Sequence, residues 1–152
     1  MKIIYIATDG KDLELITQLR QKQWQYHAER SPNFGKRIAQ RSIKDVNTQL
    51  LEKASGGLLL DLARDAETGD LVGYCLSSID VEWHGEIESI YLEPEYRRHR
   101  IGYKLVERAL NWMDKKGVSR KKLVVGAGNE EVLDFYRRFN FEVRSINMEQ
   151  LE

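Results

Sequence analysis

Apolar residues in the first third of the chain form one short continuous run and then recur with the period of helices. The Ile- and Tyr-rich run over residues 2–7 predicts a first strand. From residue 13 to about 29, apolar side chains recur every three or four positions, which predicts an amphipathic helix that Ser31-Pro32-Asn33 ends. A second and more charged helix is predicted from Lys36 to Lys53.

Predicted strands dominate the middle of the chain. Residues 58–64 and 71–79 are apolar runs on either side of Glu67-Thr68-Gly69-Asp70, a sequence typical of a tight turn. They are therefore predicted to pair as antiparallel strands. A further strand is predicted over residues 85–92, and Pro94 stops it because proline has no N–H to donate to a sheet.

The last third of the chain returns to helical spacing. An amphipathic helix is predicted over residues 101–115, followed by a buried strand over residues 122–127. Asn129 can cap a final helix that runs to Phe139, and residues 141–151 alternate loosely enough to predict a last strand. This order predicts an α/β fold, one domain over all 152 residues, with a central mixed and mostly antiparallel sheet flanked by about four helices.

The charge of the chain argues against two classes of partner. The 24 Lys plus Arg residues are balanced by 24 Asp plus Glu residues, so the formal net charge is zero. Proteins held on nucleic acid or on an anionic membrane by their overall field usually have a basic excess, so we expect neither partner. The apolar run over residues 3–7 is too short for a signal segment or a membrane span, which predicts a cytoplasmic protein.

Cysteine and histidine usage narrows the chemistry further. Cys75 is the only cysteine, so an internal disulfide and a cysteine-rich zinc site are excluded. His27, His84 and His99 form no metal-binding spacing, so we expect no metal. Cys75 lies in a predicted strand without a basic neighbour, which argues against a cysteine nucleophile.

The most informative stretch is a basic loop between a strand and a helix. Residues 87–102 comprise a strand, a turn stopped by proline, a cluster of Arg and His, and a helix start. The first amides of a helix have no intrahelical partner and carry partial positive charge, so they attract anions. The basic side chains around them strengthen that attraction, and Gly102 allows a close approach of the backbone. The loop therefore predicts a phosphate or pyrophosphate site, against the alternative of a solvated basic loop.

Residues 93–102 resemble the coenzyme A loop of the GNAT N-acetyltransferases, which has the pattern Arg/Gln-x-x-Gly-x-Gly/Ala. Arg97 and Gly102 fill the first and last motif positions, and Arg100 stands where the family usually has its middle glycine. A side chain there either crowds the pyrophosphate or binds it through its guanidinium. The resemblance implies acetyl-CoA as the acyl donor, held by Ile90, Tyr91, Leu92, Arg97, Arg98, His99, Arg100, Ile101, Gly102 and Asn129.

A second segment resembles the same family. In residues 129–141 an Asn opens a helix that carries Tyr136 and ends in Asn140-Phe141, where the family has Gly-Phe. Asn140 is a mild change because asparagine tolerates left-handed backbone. The remaining tail is shorter than the two strands of many relatives, so its last strand is either single or completed by a partner subunit. A homodimer is therefore possible.

Acetyl transfer to an amine requires removal of a proton from the amine, polarisation of the carbonyl and protonation of the leaving thiolate. The resemblance implies direct attack in a ternary complex, with Tyr136 as the residue that protonates the thiolate. The alternative for Tyr136 is a core aromatic beside Phe135 and Phe139.

Glu88 lies on the strand before the loop, where polyamine acetyltransferases and several other members place a general base. Glu86 shares its face by the two-residue period, so either carboxylate can serve. The alternative is that the pair attracts a cationic substrate without taking its proton.

The acceptor is predicted to be a small cationic amine, polyamine- or aminoglycoside-like. Trp24 and His27 lie in an aromatic cluster near the first helix break, and Glu86 adds negative charge. Trp24 and His27 alternatively pack the first helix, and a protein N-terminus or lysine remains open as acceptor. The rival function is a non-catalytic coenzyme A-binding sensor or partner-binding module on the same fold, for which Arg100 is the main support.

Overall fold

The computed structural model describes residues 1–152, and its centre is a five-stranded sheet in the order β1-β2-β3-β4-β5. The first four strands are antiparallel to their neighbours, and β5 runs parallel to β4. The prediction of a mixed, mostly antiparallel sheet is confirmed. The strands are β1 Ile3–Thr8, β2 Gly57–Asp65, β3 Leu71–Ile79, β4 His84–Leu92 and β5 Arg120–Leu123.

Five α-helices surround this sheet: α1 Thr17–Arg30, α2 Gly35–Ala39, α3 Ile43–Lys53, α4 Ile101–Lys116 and α5 Leu133–Arg137. A 3₁₀ segment over Gly10–Ile16 leads into α1. The single helix predicted from Lys36 to Lys53 is wrong, because the chain breaks before Ser42. Ser42 has extended backbone, and its side chain accepts a hydrogen bond from the Asp45 N–H, so it begins a new helix as an N-cap.

The helices cover the two faces of the sheet. Strand alternation sends Leu60 and Leu62 toward one face, whereas Asp61 and Ala63 point to the other. On the first face Leu13, Ile16, Leu19 and Leu50 cover the strands, and they come from α1, α3 and the 3₁₀ segment. On the second face α4 buries Ile101, Leu105, Val106, Ala109 and Met113. The sheet is thus the middle layer of the domain, with one hydrophobic core on each of its two faces.

The C-terminal part of the chain departs from the sequence prediction. The buried strand predicted over residues 122–127 is wrong in its bounds and in its burial, because β5 ends at Leu123, its first three residues are exposed, and Val124 is exposed as well. The strand predicted over residues 141–151 does not form. A four-residue edge strand offers few main-chain partners to a further strand. The apolar side chains of the tail are also exposed, Met148 by 95%, so no burial stabilises it. The backbone at Asn140 is left-handed, with φ of 67°, as expected from its place in the motif.

Candidate active site

A bulge in β4 shapes the centre of the candidate site. Leu76 of β3 pairs with Ser89 and Ser77 pairs with Ile87, so Glu88 has no partner across the ladder. An extra residue of this kind bends the strand and re-aims its side chain. Glu86 and Glu88 lie on one face of the sheet by ordinary alternation, as the shared contacts of their side chains with Lys53 show. Beyond the bulge Ser89 points to that face as well, where its hydroxyl contacts that of Tyr74.

The strands β4 and β5 separate directly after this point. They pair only from His84 to Ile87 on β4, so the stretch from Glu88 to Leu92 faces no strand on that side. The Glu93 N–H donates to the carbonyl of Val72 in β3, and alternation then turns the main-chain groups of Ile90 and Leu92 toward the opening. The main chain of Tyr91 turns instead toward β3. In two of the three residues predicted to contact the pantetheine arm, the main-chain groups are therefore not paired with a neighbouring strand.

Two side chains donate hydrogen bonds to the carbonyls of this unpaired strand edge. Gln23 Nε2 of α1 donates to the Ile90 carbonyl at 3.3 Å, and Arg97 Nε donates to the Leu92 carbonyl at 2.9 Å. The Arg97 guanidinium also lies over the rings of Tyr26 and Tyr91, at 5.4 and 5.6 Å. Arg97 therefore braces α1 against the end of β4 and stands apart from the exposed basic residues after it.

Those exposed residues surround the start of α4. Arg98, His99 and Arg100 are exposed, and the first main-chain bond of the helix runs from the Lys104 N–H to the Arg100 carbonyl. No side chain caps the helix, so the amides of its first residues lack an intrahelical partner. A methyl group built at Gly102 would meet nothing within 4 Å, so the space beside the helix start is open. This geometry suits a bound anion.

Arg100 has the backbone shape that a glycine would adopt there without strain. Its φ is 62°, in the left-handed region, which costs a side-chain-bearing residue about 1–2 kcal/mol. Arg98 has φ of 67° and carries a similar cost. The guanidinium of Arg100 stacks over the ring of Tyr103 at 4.6 Å. The loop conformation typical of glycine is thus retained although the glycine is absent.

The two carboxylates of β4 share one ammonium group. Lys53 Nζ lies 2.7 Å from Glu86 Oε1 and 2.8 Å from Glu88 Oε2, and Lys122 Nζ lies 3.7 Å from Glu86. The Ser78 hydroxyl donates to Glu88. Burial lowers the pKa of Lys53, but its hydrogen bonds to Glu86 and Glu88 outweigh that effect and raise the pKa overall. No sequence signal marked Lys53, because a lysine in the last turn of a helix is ordinary.

Tyr136 lies buried on α5, where its ring contacts Phe135 and Phe141 at centroid distances of 5.2 and 6.1 Å. Burial, together with the nearby Cys75, raises the pKa of its phenol well above the ordinary value. The phenol therefore stays protonated at neutral pH, as a proton donor requires. The packing of its ring is also that of a core aromatic.

Asn129 behaves differently from a helix cap. It precedes a 3₁₀ turn, Glu130–Val132, and its side chain makes no capping hydrogen bond. The prediction that it caps the last helix is wrong. Its Oδ1 is buried without a partner, which costs free energy unless a donor reaches it. A ligand N–H is a suitable donor.

The predicted acceptor residues on α1 have cationic neighbours. Trp24 is buried, and the guanidiniums of Arg20 and Arg41 lie 5.6 and 5.9 Å from its ring. An acceptor cation would compete with both for that ring. Burial lowers the pKa of His27, and Arg41 and Arg30 lower it further, so its imidazole is neutral at pH 7.

The structure also bears on a metal site and on a membrane span. No group of three His, Cys, Asp or Glu side chains is placed to hold a metal ion. None of the helices combines the length and apolar character needed to cross a membrane.

The chain is similar to known proteins over most of its length. The sequence model of the acetyltransferase (GNAT) family matches residues 14–141. An uncharacterized N-acetyltransferase of Methanocaldococcus jannaschii is 31% identical over 71 residues, which are 47% of this chain and 31% of that protein. The match thus spans about a third of that relative's length.

Solved structures agree with the family model. The PaiA N-acetyltransferase of Thermoplasma acidophilum in complex with coenzyme A has a TM-score of 0.72 at 25% identity, with 97% of this chain and 94% of that chain covered. A GCN5-related N-acetyltransferase from Ralstonia eutropha has the same fold, with a TM-score of 0.76 at 18% identity and 99% of each chain covered. Because the family model covers most of the sequence, the chain belongs to the acetyltransferase (GNAT) family.

Proposed function

We propose that the protein is an N-acetyltransferase that moves an acetyl group from acetyl-CoA to a primary amine by direct attack in a ternary complex. The observation that carries the proposal is the opening between β4 and β5. The bulged Glu88 lies at its start, and the uncapped N-terminus of α4 follows the end of β4. This arrangement offers a carboxylate for an amine and backbone donors for a phosphate.

The acyl donor would be held along this opening. The pyrophosphate would accept hydrogen bonds from the amides of Ile101 and Gly102, with Arg98, His99 and Arg100 supplying positive charge. The pantetheine amides would replace Gln23 and Arg97 at the carbonyls of Ile90 and Leu92, and Asn129 Oδ1 offers a further acceptor. Acetyl-CoA supplies a thioester whose carbonyl is open to attack by an amine.

Two residues would handle the protons. Glu88 takes a proton from the acceptor nitrogen while that nitrogen forms a bond to the acetyl carbon. The carbon–sulfur bond breaks, and the phenol of Tyr136 protonates the departing thiolate. Glu86 lies beside Glu88 and shares its Lys53 contact, so it serves to hold the acceptor's positive charge. The acceptor would be a small cationic amine of the polyamine or aminoglycoside type.

The test measures binding and turnover separately. We expect calorimetry to show that acetyl-CoA and free coenzyme A both bind, and a panel of polyamines, aminoglycosides and peptides to release free thiol from acetyl-CoA. Binding without thiol release would favour the rival non-catalytic coenzyme A-binding module, which the occupation of Glu88 by Lys53 also fits. Absence of binding would overturn the proposal.

A homodimer is a further part of the proposal. The outer edge of β5 has no strand partner, and the tail after Phe141 exposes Val143, Ile146, Met148 and Leu151. Unpaired strand edges and alternating apolar segments are what a second copy can pair with. Light scattering is expected to give twice the chain mass of 17.8 kDa, and ending the chain after Glu142 should return it to monomer. A monomer at high concentration would contradict this assignment.

A further inference from the structure

The position of Lys53 has a consequence for acceptor choice. Lys53 is the last residue of α3, and its side chain reaches across to place Nζ within 2.8 Å of both carboxylates of β4. A primary ammonium is also the group that a cationic amine acceptor brings to the site. The protein's own side chain thus occupies the place of the acceptor's charged group in the free protein.

These ion pairs are stronger than ordinary surface pairs. The side chains of Glu86 and Glu88 are only 12% and 17% exposed, and that of Lys53 is 38% exposed. Partly buried charges are screened less by water and salt than exposed ones. The raised pKa of Lys53 keeps it in the ammonium form, so it is a poor nucleophile and acts as a bound cation.

The carboxylates remain held when Lys53 moves away. The Ser78 hydroxyl still donates to Glu88, and Lys122 still faces Glu86 at 3.7 Å. Glu86, Glu88 and Lys122 together then carry one net negative charge, which a single ammonium neutralises. The flexible four-carbon stem of Lys53 allows this exchange without a shift of α3.

We propose that Lys53 is an internal stand-in for the acceptor's ammonium group and selects acceptors by making them compete for Glu86 and Glu88. This inference rests on the proposed function and names the residue that sets its specificity. An acceptor with a second amine anchored elsewhere displaces Lys53 more readily than a simple monoamine does, which favours polyamines and aminoglycosides. The competition weakens acceptor binding and leaves the chemical step unchanged.

The experiment is a calorimetric titration with spermidine in the presence of free coenzyme A, which cannot transfer an acetyl group. Lys53→Met is expected to bind spermidine about tenfold more tightly than the original protein, because no internal cation has to leave. Lys53→Arg keeps the positive charge and should bind like the original. Lys44→Met removes a lysine from the same helix away from Glu86 and Glu88, and should also bind like the original.

Several outcomes would overturn the inference. Unchanged or weaker spermidine binding by Lys53→Met would do so, as would a fall in kcat with unchanged binding, because Lys53 would then only position Glu88. If Lys53→Met melts early from repulsion between the two carboxylates, Lys53→Gln repeats the titration with a polar side chain. Failure of the proposed function is seen separately, as no thiol release by the original protein with any amine.

Discussion

Tyr136→Phe is expected to lower kcat about a hundredfold while leaving acetyl-CoA affinity unchanged. Removing a general acid typically costs this much or more, and the benzyl ring of phenylalanine keeps the packing against Phe135 and Phe141. No hydrogen bond contributes to the raised pKa of the Tyr136 phenol, which burial and Cys75 produce. Stopped-flow or steady-state thiol release gives kcat, and calorimetry gives the affinity.

The same substitution separates the two roles of Tyr136. If the residue is only a core aromatic, loss of a hydroxyl leaves both kcat and the melting temperature nearly unchanged. If it is the proton donor, kcat falls and the melting temperature stays the same. Tyr5→Phe is the matched control, because it removes a partly buried phenol on β1 and should leave turnover unchanged. A full rate for Tyr136→Phe would remove the acid from the proposed mechanism.

Local signals explain the parts of the site that the sequence predicts. Pro94 stops a strand, the basic run from Arg98 to Arg100 is exposed, and α4 begins at Ile101 as its spacing requires. Each signal acts within a few residues, so it is visible without knowledge of the fold. The left-handed backbone at Arg100 and Asn140 likewise falls at two places where the family motif has glycine.

Contacts between distant segments explain what the sequence does not predict. Lys53 reaches Glu86 across 33 positions of sequence, and neither residue carries a local mark of the other. The strand predicted over residues 141–151 does not form for a related reason. The alternation of its apolar residues is visible in the sequence, but a strand also needs a partner, and β5 offers only four residues. The break before Ser42, by contrast, has a local signal in the sequence, because Ser42 and Asp45 form an N-cap pattern within a charged stretch.

The contact between Asp61 of β2 and Arg108 of α4 is another such long-range pair, and it carries the largest expected effect on stability. The carboxylate side chain of Asp61 is 1% exposed, and Arg108 binds both of its oxygens, with Nε at 2.5 Å and the second contact at 2.9 Å. Desolvating a carboxylate is costly, so this one depends on its partner.

Arg108→Ala is expected to lower the free energy of unfolding by about 3 kcal/mol, or roughly 10 °C in melting temperature. The reason is that Asp61 stays buried with its charge uncompensated, while α4 also loses the guanidinium that lies 5.3 Å from the ring of Tyr5. Chemical denaturation measures the change.

The control is Asp61→Leu combined with Arg108→Met, which removes both charges and keeps apolar volume, and it should be more stable than Arg108→Ala alone. A double variant as unstable as the single one would show that α4 packing, and not the isolated carboxylate, causes the loss. Because α4 also carries the proposed pyrophosphate site, acetyl-CoA should raise the melting temperature of Arg108→Ala by binding to its folded state.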